Sequence, residues 1–291
     1  MTYLTKEDWK KNYVQKICDD KSFSEYFQEK KKICSDFIFL IQKIFKSLNN
    51  NASPKKILQR ILYSSLIFFH KYILSSEISF CNLSFVEKLT IYCACIFLSF
   101  KVINKLIPLK TISSEFKPLF NEQKKIRYEI EDINKLITNK ELEILISIQF
   151  QGNIDFIYNY LDLIKKYLTQ IEIKNEIIKN IINLVNIKIN EIILFPLYLY
   201  FTPFELLISI LTLIKNESKL IYININDFIR MNNLDIDKNN IMECSLIINK
   251  IINQKKYLNE NNNNNIDKYK TTKENKEKIN FNTISNIQTN N

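Results

Sequence analysis

The side chains best able to do chemistry in this chain are a single histidine and six cysteines. A hydrolytic triad would depend entirely on His70, because the 291 residues contain no second histidine. No serine, cysteine or aspartate stands at a spacing that would make His70 a catalytic base, and one imidazole cannot form a paired-histidine metal site. We therefore expect no catalytic residue, no metal and no cofactor.

The cysteines lie inside helical patterns and lack the paired C-x-x-C spacing of zinc ribbons. They are Cys18, Cys34, Cys81, Cys93, Cys95 and Cys244. The N-terminal residues are charged and show no signal segment, which indicates an intracellular, reducing location. We expect the thiols to be packed core groups.

Glycine occurs only once, at Gly152. Phosphate-binding loops, dinucleotide fingerprints and nucleophile elbows need several glycines, so these enzyme classes are excluded. Hairpin turns and bulges in sheets also use glycine, whereas one glycine and five prolines indicate helices joined by polar loops. The sequence predicts an all-α protein that is not an enzyme.

The formal net charge of +10 would ordinarily indicate an anionic partner. However, arginine, which phosphate and base recognition favours, occurs only at Arg60, Arg127 and Arg230. We expect no direct binding of nucleic acid.

One apolar stretch, Ile192 to Ile214, is long enough to cross a bilayer. Pro196 and Glu205 interrupt it, and Thr202-Pro203 has the form of a helix N-cap followed by proline at the first helical position. We expect the end of one helix, a short turn and a buried helix here, with no membrane partner.

The hydrophobic period predicts ten helices in two units of five. The predicted helices cover 24–48, 54–74, 85–101, 113–119 and 123–150, then 154–169, 173–195, 203–216, 223–231 and 240–256. The third helix of each unit begins with a capping box and is apolar nearly all round. Such a helix must be surrounded by others. In the first unit, we expect the neighbouring helices to approach the third helix most closely at Ala94.

Four regions follow from these patterns. They are an N-terminal helical extension at 1–23, a first five-helix repeat at 24–151, a second at 152–256 and an asparagine-rich tail at 257–291. The tail is rich in asparagine, lysine and threonine, with isolated apolar residues, so it is expected to be disordered.

Three stretches of the first repeat share a pattern of aromatic, small and charged residues: Phe68–Leu74 (FFHKYIL), Cys95–Lys101 (CIFLSFK) and Glu141–Phe150 (ELEILISIQF). The first resembles the aromatic and basic segment that closes the second helix of a cyclin box. The second resembles the C-x-F-L-A-x-K motif of the cyclin family. The third resembles the fifth cyclin-box helix, with Glu141 in the place of the family glutamate.

In the second repeat, Tyr198–Pro203 (YLYFTP) is followed by Leu206–Leu211 (LLISIL). This segment looks like the entry to the third helix of the second box in cyclins of the H type. The resemblance covers roughly residues 50 to 215, and the chain is most similar to a transcriptional cyclin, with two tandem cyclin-box repeats.

The resemblance implies a non-catalytic subunit that binds and activates a cyclin-dependent protein kinase. By family analogy, Lys101 donates to kinase backbone carbonyls, and Glu141 accepts a backbone N–H and pairs with Lys101. Both side chains are expected at the surface of the free subunit. His70 is expected to be exposed or half-buried, and Phe97 to lie in the core with Phe68 and Phe69.

A cyclin H-like chain would belong to the CDK-activating kinase and the general transcription factor H complex, together with a third assembly subunit. That assignment implies a nuclear location, with a cytoplasmic pool also compatible. Another transcriptional cyclin of the C, K or L type is an alternative. A DNA-binding protein like transcription factor IIB, or a helical scaffold without a kinase partner, also stays open.

Removal of residues 257–291 should leave the thermal midpoint unchanged, because this segment has too few apolar residues to offset the entropy of ordering it. Calorimetry of the full and truncated chains measures the difference. A midpoint lowered by more than a few degrees would mean that the tail packs on the repeats.

Overall fold

The computed structural model describes residues 20–48, 55–76, 80–122, 127–150, 152, 154–218, 223–232 and 236–255. Within these ranges the chain forms ten α-helices, three short 3-10 helices and no strand. The α-helices are α1 Asp20–Ser47, α2 Lys55–Ser75, α3 Phe85–Val102, α4 Leu109–Phe120, α5 Ile130–Ser147, α6 Leu161–Gln170, α7 Asn175–Ile192, α8 Pro203–Ser218, α9 Ile225–Met231 and α10 238–255. The 3-10 helices are Phe80–Asn82, Ile157–Tyr160 and Pro196–Leu199.

This order confirms the predicted all-α fold with two successive sets of five helices, α1–α5 and α6–α10. Most of the predicted N-terminal extension, 1–19, lies outside the described residues, and so does the whole tail 257–291. Asp20 to Phe23 of that extension instead belong to α1.

Helix α3 is the centre of the first set. The Ser84 hydroxyl accepts from the Glu87 N–H at 3.3 Å, and the Glu87 carboxylate accepts from the Ser84 N–H at 2.8 Å, so the predicted capping box is present. The helix packs mainly against α2 and α5 and is buried on all sides along its middle turns. Ala94 is fully buried, as expected for a close approach of helices.

Helix α8 has the same central place in the second set. The Thr202 hydroxyl accepts from the Glu205 N–H at 3.2 Å, and the Glu205 carboxylate accepts from the Thr202 N–H at 2.7 Å. The apolar stretch from Ile192 to Ile214 is thus divided into the end of α7, a 3-10 turn and a buried helix, as predicted. In the described ranges, no helix has the length and apolarity needed to cross a membrane.

The two sets are joined by aromatic contacts. Phe195, after α7, is fully buried and stacks on Phe23 and Phe27 of α1, with ring centroids 6.2 and 6.3 Å apart. His70 of α2 is hydrogen-bonded through Nδ1 to the hydroxyl of Tyr198 from the second set. These contacts bury the seam between the sets.

His70 is buried, so the expectation of an exposed or half-buried imidazole is wrong. The reason is tertiary, because its side of α2 is covered by the turn that carries Tyr198. Burial lowers the pKa of His70 well below its ordinary value, and the charge of Lys30 lowers the pKa further. The folded protein therefore favours a neutral imidazole.

Replacing Ala94 by leucine should lower the free energy of unfolding by about 1 to 3 kcal/mol, because the site has no room for added methyl groups. Urea unfolding measures the change, and Asn180→Leu at an exposed position of α7 is the control. Equal stability of Ala94→Leu and the parent would contradict the central position of α3.

The free energy of unfolding should decrease as the pH falls from 7 to about 5.5. Below the ordinary histidine pKa of 6.5, the unfolded chain binds a proton that the folded chain, with its lowered His70 pKa, binds more weakly. The slope is at most about 1.4 kcal/mol per pH unit.

His70→Gln should flatten this pH dependence, whatever its effect on absolute stability, because the chain has no second histidine. Denaturation midpoints of both proteins across the pH range test the expectation. An unchanged slope in the variant would exclude His70 as the titrating group.

Candidate functional site

The last turn of α3 and the middle of α5 carry the two side chains singled out by the sequence. Helix α3 ends after Lys101, where Asn104 takes a left-handed φ of 54° and the Lys105 N–H donates to the Phe100 carbonyl at 3.0 Å. Helix α5 begins after Glu129, whose N–H donates to the Asp132 carboxylate at 3.0 Å. Because α3 and α5 pack together, the last turn of α3 faces the middle of α5.

Lys101 and Glu141 meet in an ion pair between these helices. Lys101 Nζ donates to Glu141 Oε1 at 2.5 Å and lies 4.2 Å from the centroid of the Phe97 ring. The Glu141 side chain is 9% exposed, whereas that of Lys101 is 43% exposed. The Glu141 carboxylate therefore lies on the buried side of the pair, whereas the Lys101 ammonium group is accessible to solvent.

The expectation that Glu141 lies at the surface is wrong. It belongs to a buried stripe of α5 with Ile133, Ile137 and Ile144, which share the face turned toward the core. A carboxylate in such a stripe needs a partner, because a buried unpaired charge is costly. The four-residue spacing from Ile133 through Ile137 to Glu141 was a signal that could have indicated this burial.

Phe97 is half-buried, unlike Phe68 and Phe69, which are fully buried as predicted. It lies one helical turn before Lys101 and supports the ammonium group through a cation–π contact. The prediction of a core position is therefore wrong for Phe97, whose ring is part of the candidate site.

A second polar cluster, which the sequence did not reveal, fixes α5 against α2. The Tyr72 hydroxyl donates to the Glu143 carboxylate, and Lys140 Nζ donates to Glu143 Oε2 at 2.6 Å and to the Tyr72 hydroxyl at 3.2 Å. Burial alone would raise the pKa of Glu143, but hydrogen bonds from Lys140 and Tyr72 hold this pKa below its ordinary value. The cluster restrains the rotation of α5 and so helps to place Glu141.

Exposed apolar side chains follow both members of the ion pair along the chain. Leu142 and Ile146 lie one turn apart on α5, Phe150 follows the end of that helix, and Leu106 follows α3, and all four are half or more exposed. Large exposed apolar side chains are a feature of protein–protein interfaces. The partly exposed ammonium group of Lys101 can thus present N–H donors to the backbone of a partner.

Four of the five cysteines that the structure describes are packed in the interior. Cys34, Cys93, Cys95 and Cys244 are buried, and burial raises the pKa of the Cys34 thiol to about 11, which disfavours its thiolate. Cys81 is exposed because it lies on the short 3-10 helix before α3, so the expectation of a core position is wrong there.

Cys18 lies outside the described residues. Within those residues, no group of three or more histidine, cysteine, aspartate or glutamate side chains could hold a metal ion.

No protein-family model matches the sequence, and no curated protein matches it. Among solved structures, a chain of the yeast TFIIK (Kin28/Ccl1/Tfb3) complex, determined by cryo-electron microscopy, is similar at 15% sequence identity with a TM-score of 0.46. The match covers 75% of this chain and 87% of the other.

Proposed function

We propose that the chain is a cyclin-type regulatory subunit, without catalytic activity of its own, that binds and activates a cyclin-dependent protein kinase. The observation that supports this most is the Lys101–Glu141 pair. Its two members match the lysine and the glutamate of the cyclin-box motifs, although 40 residues separate them along the chain.

The exposed end of the pair has the chemistry that such binding requires. An ammonium group has three N–H donors, of which one is used by Glu141. The others are available to carbonyl groups at a helix end of the kinase, and charge-assisted hydrogen bonds in a dry interface depend strongly on orientation. Leu142, which follows Glu141 in the sequence and is 53% exposed, offers an apolar side chain for contact with a partner.

The proposed mechanism is conformational. An active kinase needs the glutamate of its mobile helix to pair with the lysine that contacts the nucleotide phosphates. A subunit that binds this helix only in its inward position stabilises the active arrangement. A differential binding free energy of about 3 to 5 kcal/mol moves the equilibrium by roughly two to four decades.

The finer proposal is a cyclin H-like subunit of a CDK-activating kinase, nuclear and assembled with a third subunit. It is supported by the segment Tyr198–Pro203, in which Thr202 caps α8 through the hydrogen bond to the Glu205 N–H. A threonine before this proline is the feature that resembles the H type more than other transcriptional cyclins.

Affinity purification of the full chain from its own cells, with mass spectrometry and a kinase assay, tests the proposal. A co-purifying protein kinase that phosphorylates a peptide of polymerase II C-terminal repeats is the expected result. Co-purified promoter DNA without a kinase would favour the alternative of a DNA-binding factor. The absence of both a kinase and DNA would favour the scaffold.

Lys101→Ala and Glu141→Ala should each weaken kinase binding by about 2 to 5 kcal/mol, because one charge loses its partner in the interface. Kinase activation should decrease in parallel. Pull-down titrations and phosphorylation rates measure both effects, and Glu141→Gln separates loss of charge from loss of shape.

Lys117→Ala is the matched control, because Lys117 of α4 forms a lysine–glutamate pair with Glu129 that includes neither Lys101 nor Glu141. It should retain kinase binding. Circular dichroism and thermal unfolding must first show that each variant is folded, since Glu141 is buried. Unchanged binding and activation in folded Lys101 and Glu141 variants would contradict the proposed site.

A further inference from the structure

A cleft with a volume of about 810 Å³ lies between the two helical sets. Its walls come from the first turns of α2, the 3-10 helix Ile157–Tyr160, and the helices α6 and α7. None of these elements carries Lys101 or Glu141, so the cleft is separate from the proposed kinase-binding surface.

Three cationic side chains, Lys56, Arg60 and Lys165, line the cleft together with one carboxylate, Asp162. None of the three cations forms a salt bridge to any residue that the structure describes. Lys188 of α7 differs from these three cations, because it forms a salt bridge with Glu217 at 3.2 Å. The cleft therefore has an excess of positive charge that attracts acidic groups.

Arg60 is held in a fixed position at the cleft. Its guanidinium carbon lies 5.3 Å from the centroid of the Phe156 ring, and Nη2 donates to Asn159 Oδ1 at 2.6 Å. A guanidinium group has five N–H donors, so a pair of parallel donors remains for a carboxylate after the bond to Asn159. Two parallel hydrogen bonds to a carboxylate are the geometry that a fixed guanidinium favours.

Helix α7 supplies amide and apolar groups to the same cleft. Asn183, Asn186 and Asn190 repeat at intervals of three and four residues and share one face of the helix. The Tyr158 hydroxyl donates to Asn190 Oδ1 at 3.0 Å, which orients that amide. Ile187, 53% exposed, adds an apolar contact on this wall.

We propose that the cleft docks an acidic peptide segment of a partner protein. A carboxylate of the peptide binds Arg60 and Lys165, and the peptide backbone exchanges hydrogen bonds with the asparagine amides of α7. An apolar side chain next to that carboxylate packs on Ile187. Arg60 is one of the three arginines in this chain.

Fluorescence anisotropy with the full chain tests the proposal. The probe is a short fluorescein-labelled peptide of glutamate, leucine and serine, and a second probe has glutamine in place of each glutamate. The glutamate probe should bind saturably and the glutamine probe at least about tenfold more weakly, since charge-assisted contacts are lost. Added salt should weaken the binding of the glutamate probe.

Arg60→Gln and Lys165→Gln should each reduce affinity for the glutamate probe about tenfold. Lys166→Gln is the matched control. Lys166 follows Lys165 and is exposed but does not line the cleft, so this variant removes the same charge outside the cleft. Its affinity should stay within about twofold of the parent. All three variants should keep the kinase partner, so failure of this proposal is distinguishable from failure of the proposed function.

Absence of saturable binding to the glutamate probe would overturn the proposal. So would equal affinity of the parent and the Arg60 and Lys165 variants, or an equal loss in Lys166→Gln. Tighter binding of a single-stranded DNA oligonucleotide at the same residues would assign the cleft to nucleic acid instead.

Discussion

A helix that is apolar on nearly every side has to be enclosed, and this requirement of α3 organises the first half of the molecule. Helices α2 and α5 pack closely on it because its middle turns carry small side chains such as Cys93, Ala94 and Ser99. The buried Ser65 hydroxyl donates to the Ser99 hydroxyl at 3.0 Å, so the polar groups of this contact are also satisfied. Both end turns of α3 lie outside the core, and the last turn carries Lys101.

The same enclosure accounts for the properties of the ion pair. Glu141 lies on the face of α5 that packs toward the core, whereas Lys101 lies at the end of α3, where the packing stops. One charge is therefore fixed and poorly solvated while the other remains reachable. A binding partner would meet an ammonium group whose position is already set, so less side-chain entropy is lost on association.

The sequence predicted the helices well and the tertiary neighbours poorly, for physical reasons. Periodicity and capping residues are local, so the boundaries of α3 and α8 could be predicted to within a few residues. His70 was misplaced because its partner, Tyr198, lies 128 residues away. The burial of Glu141 was missed because charged residues usually face solvent. The cationic cleft could not be foreseen, because four separate elements form its walls.

The stacking of Phe195 on α1 has a consequence for synthesis on the ribosome. Phe23 and Phe27 are made long before Phe195, and their rings remain without this cover until the chain has grown by more than half its length. At typical elongation rates the delay is on the order of ten to thirty seconds. During this time the nascent first set exposes Phe23 and Phe27 to solvent, so this half of the molecule is more prone to aggregation until the second set has formed.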